Sequence, residues 1–199
     1  IQQSNLPAAL PEAPGITFAA AYAPLEVVGG DLYDVWKVDN DHFGFFLGDV
    51  TGHGLPAAFI GAMTKMALSY ERTRSPEQML SAMNAGLAPV LPDGRFVTVI
   101  GLMYEVSSGV LKVARGGHPP ALLWRAADGV VEQLSPRGLP FGVDDGARYE
   151  LQSANLNPGD KCLLLTDGIT ETANLDGEML GVNGIADIFA KLAAESPID

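Results

Sequence analysis

Three aspartates sit in glycine-marked turns, at or near the ends of apolar, strand-like runs: Asp31 in VVGGD, Asp49 in FGFFLGDVTGHG and Asp167 in CLLLTDGIT. A carboxylate at a strand end is well placed to aim an oxygen ligand into a cleft. The neighbouring glycine permits backbone geometry that other residues avoid and lets a carbonyl or a ligand approach closely. Hard divalent cations such as Mg²⁺ and Mn²⁺ select such oxygen ligands. Taken singly, each aspartate has an ordinary reading: Asp167-Gly168 is a common turn dipeptide, and Asp49 could cap a following helix. Taken together they point to an acidic metal site serving phosphate chemistry.

The elements that must position two of them form a hairpin. Leu32–Val38 and His42–Leu47 are strand-like and flank the turn signal Asp39-Asn40-Asp41. A three-residue loop pairs Val38 with His42, and the same register sets Asp31 opposite Asp49. Their side chains then share one face, roughly 5 Å apart at Cβ. A two-residue loop would put them on opposite faces, and the sequence leaves both registers open. Like charges directly opposite each other need a cation, a shared proton or water.

The remaining elements follow from pattern. Residues 1–15 (IQQSNLPAALPEAPG) read as a linker from an upstream module, and Ile16–Pro24 as a strand. Pro56 opens a helix, with Phe59, Met63, Met66 and Tyr70 as the stripe expected to face the core. A second helix starts at Ser75, with Gln78 placed for a capping box and Leu80, Met83, Leu87 and Val90 on its buried face. Strands are expected over Phe96–Val106, Val110–Arg115, Ala121–Arg125, Val130–Leu134, Tyr149–Ala154 and Lys161–Thr166, then a helix over Asn183–Ala194. Short turns such as Ser107-Ser108-Gly109 and Asp128-Gly129 favour antiparallel pairing. The order predicts an α+β fold with layered sheets and helices.

Composition narrows the function. With 199 residues, 47% of them hydrophobic, the chain can bury one good core. A net charge of −12 argues against nucleic acid and against an anionic membrane surface as partners. The single cysteine, Cys162, excludes an internal disulfide framework and fits a reducing, cytoplasmic setting. Its run KCLLLT predicts a buried strand position, and Gly168 stands where a cysteine-phosphatase loop would need arginine. No apolar run is long enough to span a membrane. Ile1 is not a start methionine, so the chain reads as a piece of a longer one.

At VVGGDLYD, GDVTGHGLPAA, FVTVIGLMYE, ARGGHPPALL, LPFGV, NPGDKCLLLTDGITE and the LG of EMLGVNGI the chain resembles a known family. This is the PP2C (PPM) superfamily of metal-dependent serine/threonine phosphatases. The closest branch in motif is that of the sporulation and stress-response anti-sigma-antagonist phosphatases. Any one motif would be weak; their succession is specific. The resemblance implies an α/β/β/α sandwich of two antiparallel sheets flanked by helices, with two Mn²⁺ or Mg²⁺ ions at one edge. It assigns Asp49 as the bridging ligand, the Val50 carbonyl as its backbone neighbour, Asp167 as the later ligand and Asp31 as the early acidic position.

His53 is a candidate catalytic proton donor to the leaving serine oxygen, or else a brace for its glycine loop. His118 in GGHPP carries the same choice, with loop structure favoured. Better-known members have an arginine upstream of the first acidic motif, whereas Ile16–Gly30 holds neither arginine nor lysine. The family's closing Asp-Asp-x-Thr segment would follow the last helix, so the domain over residues 16–199 is expected to stop before its final strand. The implied substrate is a phosphorylated anti-sigma-factor antagonist, and the implied upstream module is a receiver or sensory domain. A catalytically inactive, partner-binding module with the same fold is the alternative.

Overall fold

The computed structural model describes residues 6–23 and 29–195. Among the described residues, eight strands form two antiparallel sheets. Strands β1 (Leu32–Lys37), β2 (His42–Val50), β3 (Val97–Glu105), β4 (Val110–Gly116) and β7 (Gln152–Asn155) make the first, in the order β1-β2-β3-β4-β7. Strands β5 (Ala121–Trp124), β6 (Val131–Leu134) and β8 (Lys161–Leu163) make the second, in the order β6-β5-β8. Helices α1 (Gly54–Glu71) and α2 (Pro76–Leu87) cover one outer face, and α4 (Gly181–Glu195) covers the other, while the short α3 (Asp167–Thr170) follows β8.

Three apolar layers hold this stack together. Between α1, α2 and the first sheet lie Ile60, Leu68, Leu80, Met83, Phe46 and Val99. Between the sheets lie Ile100, Leu102, Val113, Ala121 and Leu123. Leu122, Leu165 and Ile185 join the second sheet to α4. The expected α/β/β/α sandwich is the observed one. No helix among the described residues is long and apolar enough to cross a membrane.

The hairpin takes the three-residue loop. Val38 N–H donates to the His42 carbonyl at 2.9 Å, and Leu32 stands opposite Gly48 through to Lys37 opposite Phe43. Asp39 locks the turn by accepting from the Asp41 and His42 amides, each at 2.8 Å. Those bonds, with the Asp41 amide first, hold the Asp39 carboxyl below its ordinary range.

Several expectations are corrected. Helix α1 is rotated relative to the predicted stripe: Phe59, Met66 and Tyr70 are 68%, 61% and 78% exposed, and Met63 is half-buried. The buried side is Ala57, Ile60, Gly61, Thr64 and Leu68. Small residues there seat the helix against the hairpin, with Gly61 close to the Gly30 carbonyl and the Leu32 side chain. Helix α1 also starts at Gly54, with Pro56 inside its first turn. Ser75 is the N-cap of α2, but its hydroxyl donates to Glu77 at 2.6 Å and no capping box forms. Val90 is exposed on a 3₁₀ turn, Ala88–Val90.

Ile16–Ala23 forms no strand beyond a single bridge from Ile16 to Ala13, and Pro24 lies outside the described residues. That segment is held by its side chains, with Phe18 packing on the rings of Phe43 and Phe45 at 5.5 and 5.6 Å. Cys162 is on β8 as expected, yet exposed, because β8 is an edge strand. Ile1–Asn5 of the predicted linker also lies outside the described residues.

One buried ion pair was not anticipated. Asp34 on β1 is 4% exposed and meets Lys65 of α1 at 3.0 Å and the Arg72 guanidinium at the end of that helix. The Arg72 carbonyl accepts from the Trp36 indole at 3.0 Å, and its guanidinium lies over the same ring. These contacts fix α1 lengthwise along the hairpin whose end carries Asp31 and Asp49.

Candidate metal centre

One residue beyond the observed β1–β2 register, Asp31 comes opposite Asp49. Their carboxyl groups are in hydrogen-bond contact. Asp167, at the start of α3, approaches from the second sheet closely enough for its charge to act on Asp49. A hydrogen bond joins the two segments directly: the hydroxyl of Thr166, the residue before Asp167, donates to Asp31 Oδ2 at 3.0 Å. The structure therefore brings all three predicted aspartates to one end of the sandwich.

The electrostatics are those of crowded like charges. Burial, then the Asp31 hydrogen bond, then the charges of Asp31, Asp167 and Glu171 push the Asp49 carboxyl up to about 8. Asp167 is raised too, by burial first and then by Glu171 and Asp31. Such a cluster holds a proton or a cation at neutral pH, and its all-oxygen donor set suits Mg²⁺ or Mn²⁺. The fourth carboxylate, Glu171, was missed from sequence. Its signal was the spacing in DGITE, which puts Asp167 and Glu171 one helical turn apart on one side.

The predicted backbone ligand is close by. A Cβ on Gly30 would stand 2.6 Å from the Val50 carbonyl oxygen, so only glycine lets the residue before Asp31 come this near. The loop after Val50 is braced by the two residues that lead into β3. Arg95 donates to the Thr51 carbonyl at 2.7 Å, the Thr51 amide donates to the Phe96 carbonyl at 3.1 Å, and the Arg95 guanidinium fills the space a side chain at Gly52 would need. His53 follows in this loop as the exposed N-cap of α1, in extended conformation and with no side-chain cap bond.

His118 lies deeper, 1% exposed. Its Nδ1 is 2.8 Å from the Thr98 hydroxyl, and Thr98 is the β3 partner of Asp49. The backbone of Leu165, just ahead of Thr166 and Asp167, also acts on the ring. Arg115 donates to the His118 carbonyl. His118 thus links β3, which pairs with the strand carrying Asp49, to the segment between β8 and α3 that leads to Asp167.

Among the described residues, only Asp41, His42 and Glu105 bring three potential ligand atoms within 4.8 Å of one another. That trio lies at the hairpin turn, the opposite end of β2 from Asp49. Asp41 is occupied there, accepting from the Ser107 amide at 2.8 Å and hydroxyl at 2.6 Å. The Asp31–Asp49–Asp167 group is more open than a single-ion shell.

The sequence model of the Stage II sporulation protein E (SpoIIE) family matches residues 39–199. Phosphoserine phosphatase RsbU of Bacillus subtilis (strain 168) is 27% identical over 179 residues, covering 89% of this chain and 53% of RsbU. The chain therefore spans about half the length of that relative. Among solved structures, the RsbU and RsbW domains of Rv1364c from Mycobacterium tuberculosis superpose with a TM-score of 0.74 at 30% identity, covering 89% of this chain and 49% of the other. The SiaA-PP2C domain of Pseudomonas aeruginosa gives 0.75 at 22% identity, covering 85% and 67%. RsbX, solved in complex with magnesium, gives 0.62 at 17% identity, covering 85% and 82%.

Proposed function

This chain belongs to the SpoIIE family, and we propose that it is a metal-dependent protein phosphatase acting on phosphoserine or phosphothreonine. The observation that carries this reading is the convergence of Asp31, Asp49 and Asp167 at one end of the sandwich, with Asp49 driven to keep a proton in the absence of a cation. Asp31, Asp49, Asp167 and the Val50 carbonyl would hold two Mn²⁺ or Mg²⁺ ions. Bound there, the ions would supply positive charge for phosphate oxygens and a water of lowered pKa.

The chain's own groups prepare that site. Thr166 fixes one Asp31 oxygen, Gly30 gives the Val50 carbonyl its clearance, and Arg95 holds the Thr51 turn. His53 is exposed on the same loop, which supports a role in meeting a phosphoprotein from solvent and protonating its leaving serine oxygen. Grouping of all three carboxylates favours catalysis over a partner-binding module.

The likeness to the phosphoserine phosphatase RsbU supports phosphoserine as the residue acted on, and the motif resemblance supports a phosphorylated anti-sigma-factor antagonist as the protein that carries it. In this reading residues 1–15 lead from an upstream receiver or sensory module into a phosphatase domain over 16–199, and RsbU, of which the match covers 53%, is long enough to hold a further module. The single cysteine supports a cytoplasmic setting.

Phosphate release from a phosphoserine peptide and from a phosphorylated antagonist protein, with and without Mn²⁺, tests this. Release that needs Mn²⁺ and disappears in Asp167→Asn is expected. Release that survives chelation, or no release from either substrate at millimolar Mn²⁺, would rule the proposal out. His53→Gln should slow turnover while leaving KM unchanged; an unaltered rate would make His53 a loop brace only.

A further inference from the structure

The connection from β6 to β7, residues 135–150, folds back beside the end of β4 and leaves a hollow of about 610 Å³. Arg115 of β4 lines it, together with Arg137 and Arg148 of the connection. The walls approach as closely as glycine allows. A Cβ on Gly138 would stand 2.1 Å from the Arg115 carbonyl oxygen, and Gly117 N–H donates to the Gly138 carbonyl at 3.0 Å. Across the connection itself, Glu150 N–H donates to the Arg137 carbonyl at 2.9 Å. Arg115 is fixed in place: its Nε donates to the Pro136 carbonyl at 3.2 Å, its Nη1 donates to the His118 carbonyl, and burial holds its guanidinium below the ordinary range. Arg137 and Arg148 are exposed.

These guanidiniums are not paired off. Among the described residues, none of the three is in ion-pair contact with a carboxylate. The two acids in the lining are turned to backbone amides instead. Glu150 accepts from the Arg137 amide at 3.2 Å, and Asp144 accepts from the Gly146 amide at 3.0 Å. Tyr149, buried in the same lining, carries a hydroxyl with no partner. The chain has 12 lysines and arginines against 24 aspartates and glutamates, so an unpaired arginine trio in one hollow calls for an anion from outside. The planar guanidinium fork fits a carboxylate through two parallel hydrogen bonds.

Resting on the phosphatase reading above, we propose that this hollow docks an acidic side chain of the protein substrate while its phosphoserine occupies the metal centre. The sheet register places the two sites at the same end of the sandwich. Asp49 stands opposite Thr98, and Arg115 stands opposite Ile100, so Arg115 lies two strands across and two residues along from Asp49. At about 4.8 Å per strand and about 3.4 Å per residue, the backbones are about 12 Å apart. An extended peptide covers that distance in about four residues. The hollow is open to solvent, which suits a side chain presented by another protein better than an enclosed small molecule. A net charge of −12 repels a phosphorylated protein, and a cationic hollow beside the reacting end offsets that repulsion where it matters.

Two phosphoserine peptides test this, one with glutamates at about the third to fifth residue on either side of the phosphoserine and one with serines there. With Mn²⁺ present, the acidic peptide should have a KM lower by about fivefold at similar kcat, the weight of one or two exposed ion pairs, and NaCl should erode the difference. The double variant Arg137→Ser/Arg148→Ser should lose that preference and keep its rate on the serine peptide. Both sites are exposed, so the fold is retained; Arg115 is left alone because it holds two backbone carbonyls. Arg137→Glu/Arg148→Glu should instead prefer a peptide with lysines at the same positions. Equal KM values for the acidic and serine peptides in the wild type, or a preference that the double variant keeps, would overturn the proposal. Turnover of neither peptide would count against the phosphatase reading. Fluorescence anisotropy of the labelled acidic peptide then decides the docking surface by itself: weaker binding to the double variant supports it, and equal binding overturns it.

Discussion

Asp31 and Asp49 face each other across the open end of the first hairpin with their carboxyl groups in hydrogen-bond contact, and burial together with that contact drives Asp49 to keep a proton. Two acids placed this way do little for a fold on their own. They are held there by the three-residue Asp39–Asp41 turn, the Thr166 hydroxyl and the close approach that Gly30 allows. The arrangement makes sense as a binding site kept ready for positive charge.

Asp49→Asn should therefore abolish the proposed phosphatase activity without harming the metal-free fold. The folded carboxyl titrates near 8, above its ordinary unfolded value near 3.8, so the folded state keeps a proton that the unfolded state releases. Stability is then lost as pH rises through that window. Asparagine removes the titration. Thermal melts in EDTA at pH 8 should show the variant as stable as the wild type or more so, with a flatter dependence on pH. A large drop in melting temperature would make Asp49 a structural residue instead.

His118 should contribute stability of the opposite pH sense. Burial, with a smaller effect from Arg115, pushes the ring down to about 4, below the ordinary value of 6.5. The fold thus favours the neutral ring. That contribution is complete above about pH 6.5 and is lost as pH falls towards 4, a total on the order of 3 kcal/mol. Denaturant midpoints of wild type and His118→Gln at pH 7 and pH 4.5 isolate it. The wild type should lose more than the variant over that interval, and equal losses would show that the ring is not held neutral.

Asp34 is the anchor between the hairpin and α1. Asp34→Ala leaves Lys65 and Arg72 without their carboxylate, and should cost about 3 kcal/mol, the low end for a broken buried pair because Arg72 reaches solvent. Urea unfolding measures it directly. The Lys65→Met and Asp34→Ala changes should be strongly non-additive in a double-mutant cycle, and additive losses would show that the pair is not coupled.

The parts of this fold that were legible in the sequence are those set by local rules. Turn chemistry at Asp39-Asn40-Asp41 offered two registers, and the three-residue one is realised, with Asp39 accepting two amides. The helix α1 was legible as a helix but not in its facing. Apolar residues run all round it, so spacing alone could not show that small Ala57 and Gly61 would pack inward and Phe59 and Tyr70 outward. Asp34 and Lys65 are an ion pair across 31 positions, which no local pattern announces. Glu171 was readable in principle from its one-turn spacing to Asp167. The role of His118 was not, because it depends on Thr98 and Leu165 meeting between two sheets.

The central claim is that the three aspartates form one divalent-metal centre. Titration of the chain with Mn²⁺, followed by loss of the free-ion electron paramagnetic resonance signal, tests it most directly. Wild-type chain should take up Mn²⁺ in competition with Mg²⁺, and Asp49→Asn and Asp167→Asn should each weaken uptake at least tenfold, about 1.4 kcal/mol or more. Uptake unchanged in both variants, or lost instead in Asp41→Asn at the hairpin turn, would contradict it.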